Sequence, residues 1–149
     1  MRIPQLSLFI DNRPGHLIAP CRLLADAGIN IVTLSLADTQ QFGILRLIVR
    51  EWQRAREVLE AAGLVVNVTE VLALEVSDQP GGLVELLEIF HQAGINVEYM
   101  YAFSARLGNR AVLVFRFDDI DAAIGALARA GVNPVSPITL YGSLEGESE

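Results

Sequence analysis

Apolar positions along the chain fall into two patterns that each occur twice. Leu6, Leu8 and Ile10 alternate with other residues, and Leu72, Leu74 and Val76 repeat the alternation; a period of two predicts half-buried strands. Each run is followed by a Pro-Gly pair, after which the apolar positions take helical spacing. They are Leu17, Cys21, Leu24 and Ala27 in the first stretch and Leu83, Leu87, Phe90 and Ala93 in the second. Gly28 and Gly94 close these stretches, as a left-handed helix C-cap favours. The step of 66 residues from Gly28 to Gly94 also carries AGIN at 27–30 onto AGIN at 93–96, and RPGHL at 13–17 onto QPGGL at 79–83. Two landmarks and a strand agree in one register, so the chain is an internal repeat.

Further elements follow in each copy. Residues 31–37 and 97–104 read as second strands and 44–50 and 111–117 as third strands, with the turn signals DTQQFG and RLGN between them. A second helix is marked by Trp52, Ala55, Leu59 and Ala62, and by Ile120, Ala123, Leu127 and Ala130. It ends at Gly63 or Gly131, ahead of a last strand. The expected fold class is α+β: two tandem ferredoxin-like βαββαβ units, each a four-stranded antiparallel sheet with two helices on one face. Domain one is expected over 1–69, domain two over 70–141, and an acidic, disordered tail over 142–149. Residues 64–77 contain neither glycine nor proline, so the copies are expected to join without a linker, with a bend at 67–70.

Strand parity assigns the other sheet face too. Leu45, Leu47 and Val49 should face the helices, leaving Arg46, Ile48 and Arg50 on the open side. In the second copy Val97, Tyr99, Tyr101, Phe103, Val112, Val114 and Arg116 are placed there, with Glu98 toward the helices. That face carries too much apolar surface to stay wet, and a homodimer is expected.

Composition narrows the function classes. Of 149 residues 52% are hydrophobic, yet no apolar run approaches the roughly 18–20 residues of a membrane span. The start, MRIPQLS, lacks a signal-peptide core, and Cys21 is the only cysteine; a reduced, cytoplasmic setting is expected. The formal net charge is −7 and every one of the 11 basic residues is arginine, which argues against a nucleic-acid partner.

A βαββαβ unit with D-N-R-P-G or D-x-P-G after the first strand and A-G-I-N before the second resembles the ACT domain. The likeness covers the chain apart from its tail, and is strongest to stand-alone tandem ACT proteins. It implies a regulatory module, working in pairs, that binds an amino acid or analogue. The serine-binding regulatory domain of phosphoglycerate dehydrogenase, which this resembles, holds its ligand by a residue two before the proline and by the asparagine of G-x-N. By position these are Asn12 and Asp78, and Asn30 and Asn96. A histidine of that site is replaced here by Ile10 and Val76, which weakens the case for serine. The resemblance implies that the loop Asp11, Asn12, Arg13, Pro14, Gly15, His16 and Leu17 meets Asn96, Val97, Glu98 and Tyr99. It likewise implies that Asp78, Gln79, Pro80, Gly81, Gly82 and Leu83 meet Asn30 and Ile31.

These residue types suit an amino acid. Unpaired N–H groups at a helix start favour a carboxylate, Asp11 or Asp78 could accept from an ammonium, and an asparagine amide could bind either end. Other readings stand beside this one. Asp11, Asn12 and Asp78 sit where helix N-caps belong, the asparagines follow helix-ending glycines as turn residues do, and Tyr99 and Tyr101 could serve an interface. Pro20 predicts a first helix that begins late or kinks. Independent catalysis is not expected, because no HxxxH, CxxC or phosphate-loop pattern occurs; no cofactor or metal is implied. Two rivals to the sensor remain: a ligand-free interaction subunit of an enzyme or transcription factor, and base stacking of RNA on the tyrosine-bearing sheet face.

Overall fold

The computed structural model describes residues 1–104, 107–108 and 110–142. The chain divides into two compact units, Pro4–Thr69 and Met1–Ile3 with Glu70–Glu149. The predicted tail from residue 143 onward lies outside the described residues, as do residues 106 and 109 of the RLGN turn.

In the first unit, strand β1 (Ile3–Asp11) leads to helix α1 (Ile18–Asp26), strands β2 (Thr33–Thr39) and β3 (Phe42–Ile48), and helix α2 (Trp52–Ala61). Strand β3 pairs antiparallel with both β1 and β2, setting Leu47 opposite Leu6 and Leu34, and Leu45 opposite Leu8 and Leu36. Directly opposed residues share a sheet face. That face therefore presents Leu6, Leu8, Ile10, Leu45 and Leu47 to Leu24 of α1 and to Ala55 and Leu59 of α2, forming one buried core. Each leucine so removed from water contributes about 1.5–3 kcal/mol. Helix α1 begins late, as Pro20 predicts: proline stands in its first turn, where its missing N–H would have no intrahelical partner.

One strand, β4 (Val66–Ser77), carries the chain across the boundary between Thr69 and Glu70. No helix-type or irregular residue interrupts it at 67–70, the predicted bend, and the lack of glycine and proline there is the physical reason. The second unit continues with α3 (Gly82–Gln92), β5 (Val97–Ala102), β6 (Arg110–Phe117), α4 (Ile120–Arg129) and α5 (Pro137–Gly142). Strand β6 pairs antiparallel with β4 and β5. Leu72, Leu74, Val76, Phe115 and Phe117 pack with Leu86 and Phe90 of α3 and Leu127 of α4. The three phenylalanine rings form a cluster: Phe90 lies 4.7 Å from Phe117 and 5.9 Å from Phe115 between centroids, tilted to both.

All four long helices end alike. Gly28 N–H donates to Ala25 O and Ile29 N–H to Leu24 O, and the same pair of bonds recurs at Gly63 and Leu64, at Gly94 and Ile95, and at Gly131 and Val132. This is the Schellman ending, with glycine in the left-handed region at φ 69–88° and an aliphatic residue after it packing back on the helix. Buried Ile29 belongs to the core that holds Leu24, and Ile95 packs on the core that holds Phe90. The first three letters of each AGIN are thus explained by helix termination alone.

Four details depart from the sequence expectation. The buried positions of α1 are Pro20 and Leu24, and of α3 Leu86 and Phe90, while Leu17 and Leu83 precede or open their helices and remain exposed. After α4 the last strand of the second copy is reduced to residues around Val135, whose N–H donates to Ala73 O. Pro134 and Pro137 flank it, and proline cannot donate to a ladder. A β-bulge lies between Val97 and Tyr99. It turns Val97 toward the helices, opposite Phe117, and leaves Tyr99 opposite Arg116 on the other face, so Val97 is not on the open side. Nor does that face stand open in this unit: Ala73, Val112 and Val114 are at most 1% exposed, and Phe103 is buried.

Candidate functional site

The first Pro-Gly loop leaves β1 at Asp11 and reaches α1 at Ile18. Three of its side chains are tied together: Arg13 Nη2 donates to Asp11 Oδ2 at 3.0 Å, and Arg13 Nε donates to His16 Nε2 at 2.8 Å. The other ring nitrogen of His16, Nδ1, faces Asp11 Oδ2 at 3.7 Å. Asn12 is anchored differently. Its N–H donates to Gln41 O at 3.0 Å and its side-chain amide to Gln40 O at 3.2 Å, pinning the loop to the β2–β3 turn. Neither Asp11 nor Asn12 is a helix cap, because the N-cap of α1 is Leu17 and no side chain caps that helix.

This loop borders a cavity of about 180 Å³. Ile10 and Gly43, both buried, lie at its base, and Leu17 and Leu36 supply further apolar walls. Asp11, Asn12, Arg13 and Asp38 bring polar groups to it from the solvent side. Gly43 packs closely at this base: a Cβ there would stand 3.2 Å from Ile10 Cγ1 and from Leu36 Cδ1. Two carboxylates, one guanidinium and a hydrocarbon pocket thus meet within one unit.

The second loop is built more tightly. The N-cap position of α3 is Gly81, at φ 89°, which has no side chain to cap with. Gly82 N–H donates to Gln79 O at 3.1 Å, and a Cβ on Gly82 would come within 2.2 Å of Ser77 O. Only glycine fits so close an approach. The repeat aligns Gly82 with His16, which is tolerated because α1 starts two positions later in the register than α3. A cavity of about 380 Å³ adjoins this loop, lined by Ser77, Gly82, Glu85, Val132 and Asn133 together with Glu75 and Arg110. The last two form an ion pair at 3.4 Å.

Asn30 and Asn96 are exposed. Within its own unit each is separated from the Pro-Gly loop by the length of a helix, about 13 Å for the nine residues of α1. One unit therefore does not bring loop and asparagine together. Asn96 is held by its backbone, which donates to Asp118 Oδ1 at 3.1 Å and accepts from Asp118 N–H at 3.2 Å. Glu98, released by the bulge, is exposed and pairs with Arg116 Nε at 3.7 Å, instead of pointing at the helices. Arg116 also donates to Glu70 O at 3.0 Å. Among the described residues no group of three His, Cys, Asp or Glu is placed to hold a metal ion, and no helix is long and apolar enough to cross a membrane.

A family model described as an ACT domain pair matches residues 1–135. The chain belongs to the ACT domain pair family. Its structure is similar to that of a protein from Bacteroides thetaiotaomicron, with 33% identity, a TM-score of 0.87, and 95% of this chain and 96% of that one covered. Regulatory subunits of aspartate kinase share the fold. The one from Thermus thermophilus, in its ligand-free form, gives a TM-score of 0.59 at 19% identity over 86% of this ACT pair and 92% of the subunit. The one from Thermus flavus gives 0.60 at 17% identity over 87% and 93%. None of the curated proteins matches the chain.

Sequence reasoning missed three residues of the ACT pair's first cavity: Leu36, Asp38 and Gly43. A signal was present, since a glycine inside the apolar strand FGILRLI marks a close approach or a gap in the packing. Asp38 and Leu36 share strand parity, and Asp38 lies directly opposite Gly43.

Proposed function

We propose that this ACT pair is a non-catalytic regulatory sensor that binds an amino acid or a close analogue and passes the binding to a partner enzyme or transcription factor. The observation that carries the reading is the meeting of Asp11, Arg13 and Asp38 with an apolar cavity beside the first Pro-Gly loop. Fixed groups of both signs suit the ammonium and carboxylate of a zwitterion, and the hydrocarbon suits its side chain. Membership of a regulatory family supports it further. In this reading the asparagine segments act from a neighbouring ACT unit, as the family resemblance implies, because a single unit keeps them a helix length from its own loop. The protein works in the cytoplasm, in keeping with its single cysteine.

A homodimer or docked partner is part of the proposal. Phe9 and Phe42 are 62% and 47% exposed and, by register, lie with Ile44 on the sheet face of the first unit that points away from α1 and α2. Sedimentation showing only monomer at high micromolar concentration would count against a dimer.

The sensor reading is tested by a thermal-shift panel of amino acids. A ligand at about 100 times its Kd adds about 2.7 kcal/mol, which for a protein of this size moves Tm by roughly 5–10 °C. At least one amino acid is expected to give such a shift, and Arg13→Ala, Asn30→Ala or Asn96→Ala to reduce it. A flat panel supports the ligand-free interaction subunit instead.

A further inference from the structure

We infer that the cavity beside β1 is a side-chain pocket for small branched aliphatic amino acids, the class of valine, leucine and isoleucine, and that Gly43 sets its depth. The inference rests on the sensor reading above and assigns its substrate class.

Size is the first argument. At roughly 30 Å³ per water-sized group, the 180 Å³ space takes about six of them. That admits an aliphatic side chain with its Cα and leaves the charged head outside, whereas an aromatic side chain with its Cα exceeds the space. Chemistry is the second. Ile10, Leu17 and Leu36 offer only hydrocarbon, so a polar side chain would lose its water partners there without replacement. The third is the placement of charge. Asp38 lies opposite Gly43, on the pocket's own face of the sheet, and Asp11 borders the cavity from the end of β1, where the loop begins. They receive the ammonium, and Arg13, already beside Asp11, turns its guanidinium to the carboxylate. A bare aliphatic amine or acid would satisfy only half of this arrangement.

Gly43 connects the pocket to selectivity. It does not require a positive φ, so alanine can adopt its backbone. The added methyl would stand 3.2 Å from Ile10 Cγ1 and from Leu36 Cδ1 and press both side chains toward the cavity they line. Leu36 is half exposed at 51%, so its truncation widens the pocket without emptying the core.

The test is calorimetric titration of the full chain and its Gly43→Ala and Leu36→Ala variants with L-valine, L-leucine, L-isoleucine, L-alanine, L-phenylalanine and L-aspartate, alongside circular dichroism melts. One methylene in an apolar pocket is worth about 10-fold or more. The branched aliphatic ligands should bind the unchanged chain at least about 10-fold tighter than alanine or phenylalanine. Gly43→Ala should weaken leucine by a similar factor, and Leu36→Ala should narrow the gap between leucine and phenylalanine. If Gly43→Ala does not fold, the Leu36→Ala ratio alone decides. Tightest binding of a charged or aromatic amino acid, or leucine affinity indifferent to both substitutions, overturns the pocket assignment while leaving the sensor reading in place. Absence of binding by every amino acid in the wider panel removes both.

Discussion

Replacing Phe90 by alanine should be among the most damaging single truncations in the second unit's core. Its side chain is 1% exposed and contacts two rings at once, Phe117 at 4.7 Å and Phe115 at 5.9 Å. A buried Phe→Ala change costs about 3–5 kcal/mol through lost transfer energy and the cavity left behind. Each tilted ring pair is worth a further 0.5–1.5 kcal/mol or so beyond its area, which places this site in the upper half of the range, at about 4 kcal/mol. With a urea dependence of about 2 kcal/mol per molar, the unfolding midpoint should fall by about 2 M. Urea titration followed by far-ultraviolet circular dichroism measures this directly. Phe9→Ala serves as the control: that ring is 62% exposed, and its loss should move the midpoint by less than about 0.3 M. A Phe90→Ala midpoint within 0.5 M of the unchanged protein would show that the ring cluster is not a stabilising centre, and the assigned core would be wrong.

Two further outcomes test local geometry. Asp119 is the N-cap of α4 and caps it with its side chain, Oδ1 accepting from Ala122 N–H at 3.0 Å; Asp119→Ala should cost about 1 kcal/mol, and Asp119→Ser should recover most of it in the same urea assay. Gly82→Ala drives a methyl into Ser77 O and should destabilise by about 1–3 kcal/mol, while His16→Ala at the matching position of the first copy should change stability by less than about 0.5 kcal/mol.

The doubled architecture was legible because its signals are local. Alternation in Leu6, Leu8 and Ile10, helical spacing up to Phe90, and glycines after helices each act over a few residues and recur at one offset. What escaped notice depends on pairing between strands. The bulge beside Val97 is invisible without the partner Arg116 and Phe117, and it reversed the faces assigned to Val97 and Glu98. The last strand of the second copy was expected by analogy with the first, and Pro134 and Pro137 were the overlooked warning. The candidate site was half legible. Asp11, Asn12 and Arg13 were marked by the Pro-Gly motif, although Asn12 turned out to brace the Gln40–Gln41 turn. Leu36, Asp38 and Gly43 join the site only once the β2–β3 hairpin folds back beside β1, and no motif spans that distance.

The four Schellman endings are one chemical object placed in four settings. At each, glycine stands in the same backbone region, the same two amides turn back on the helix, and an aliphatic residue follows. A methyl added to any of these glycines imposes the same intrinsic strain, on the order of 1 kcal/mol. Whatever differs among the four replacements must then come from the surroundings: how firmly each helix is clamped, and how readily its last turn opens. The chain thus contains its own matched set of gauges. Amide exchange read at Ile29, Leu64, Ile95 and Val132 would grade the rigidity of one copy against the other on a common scale.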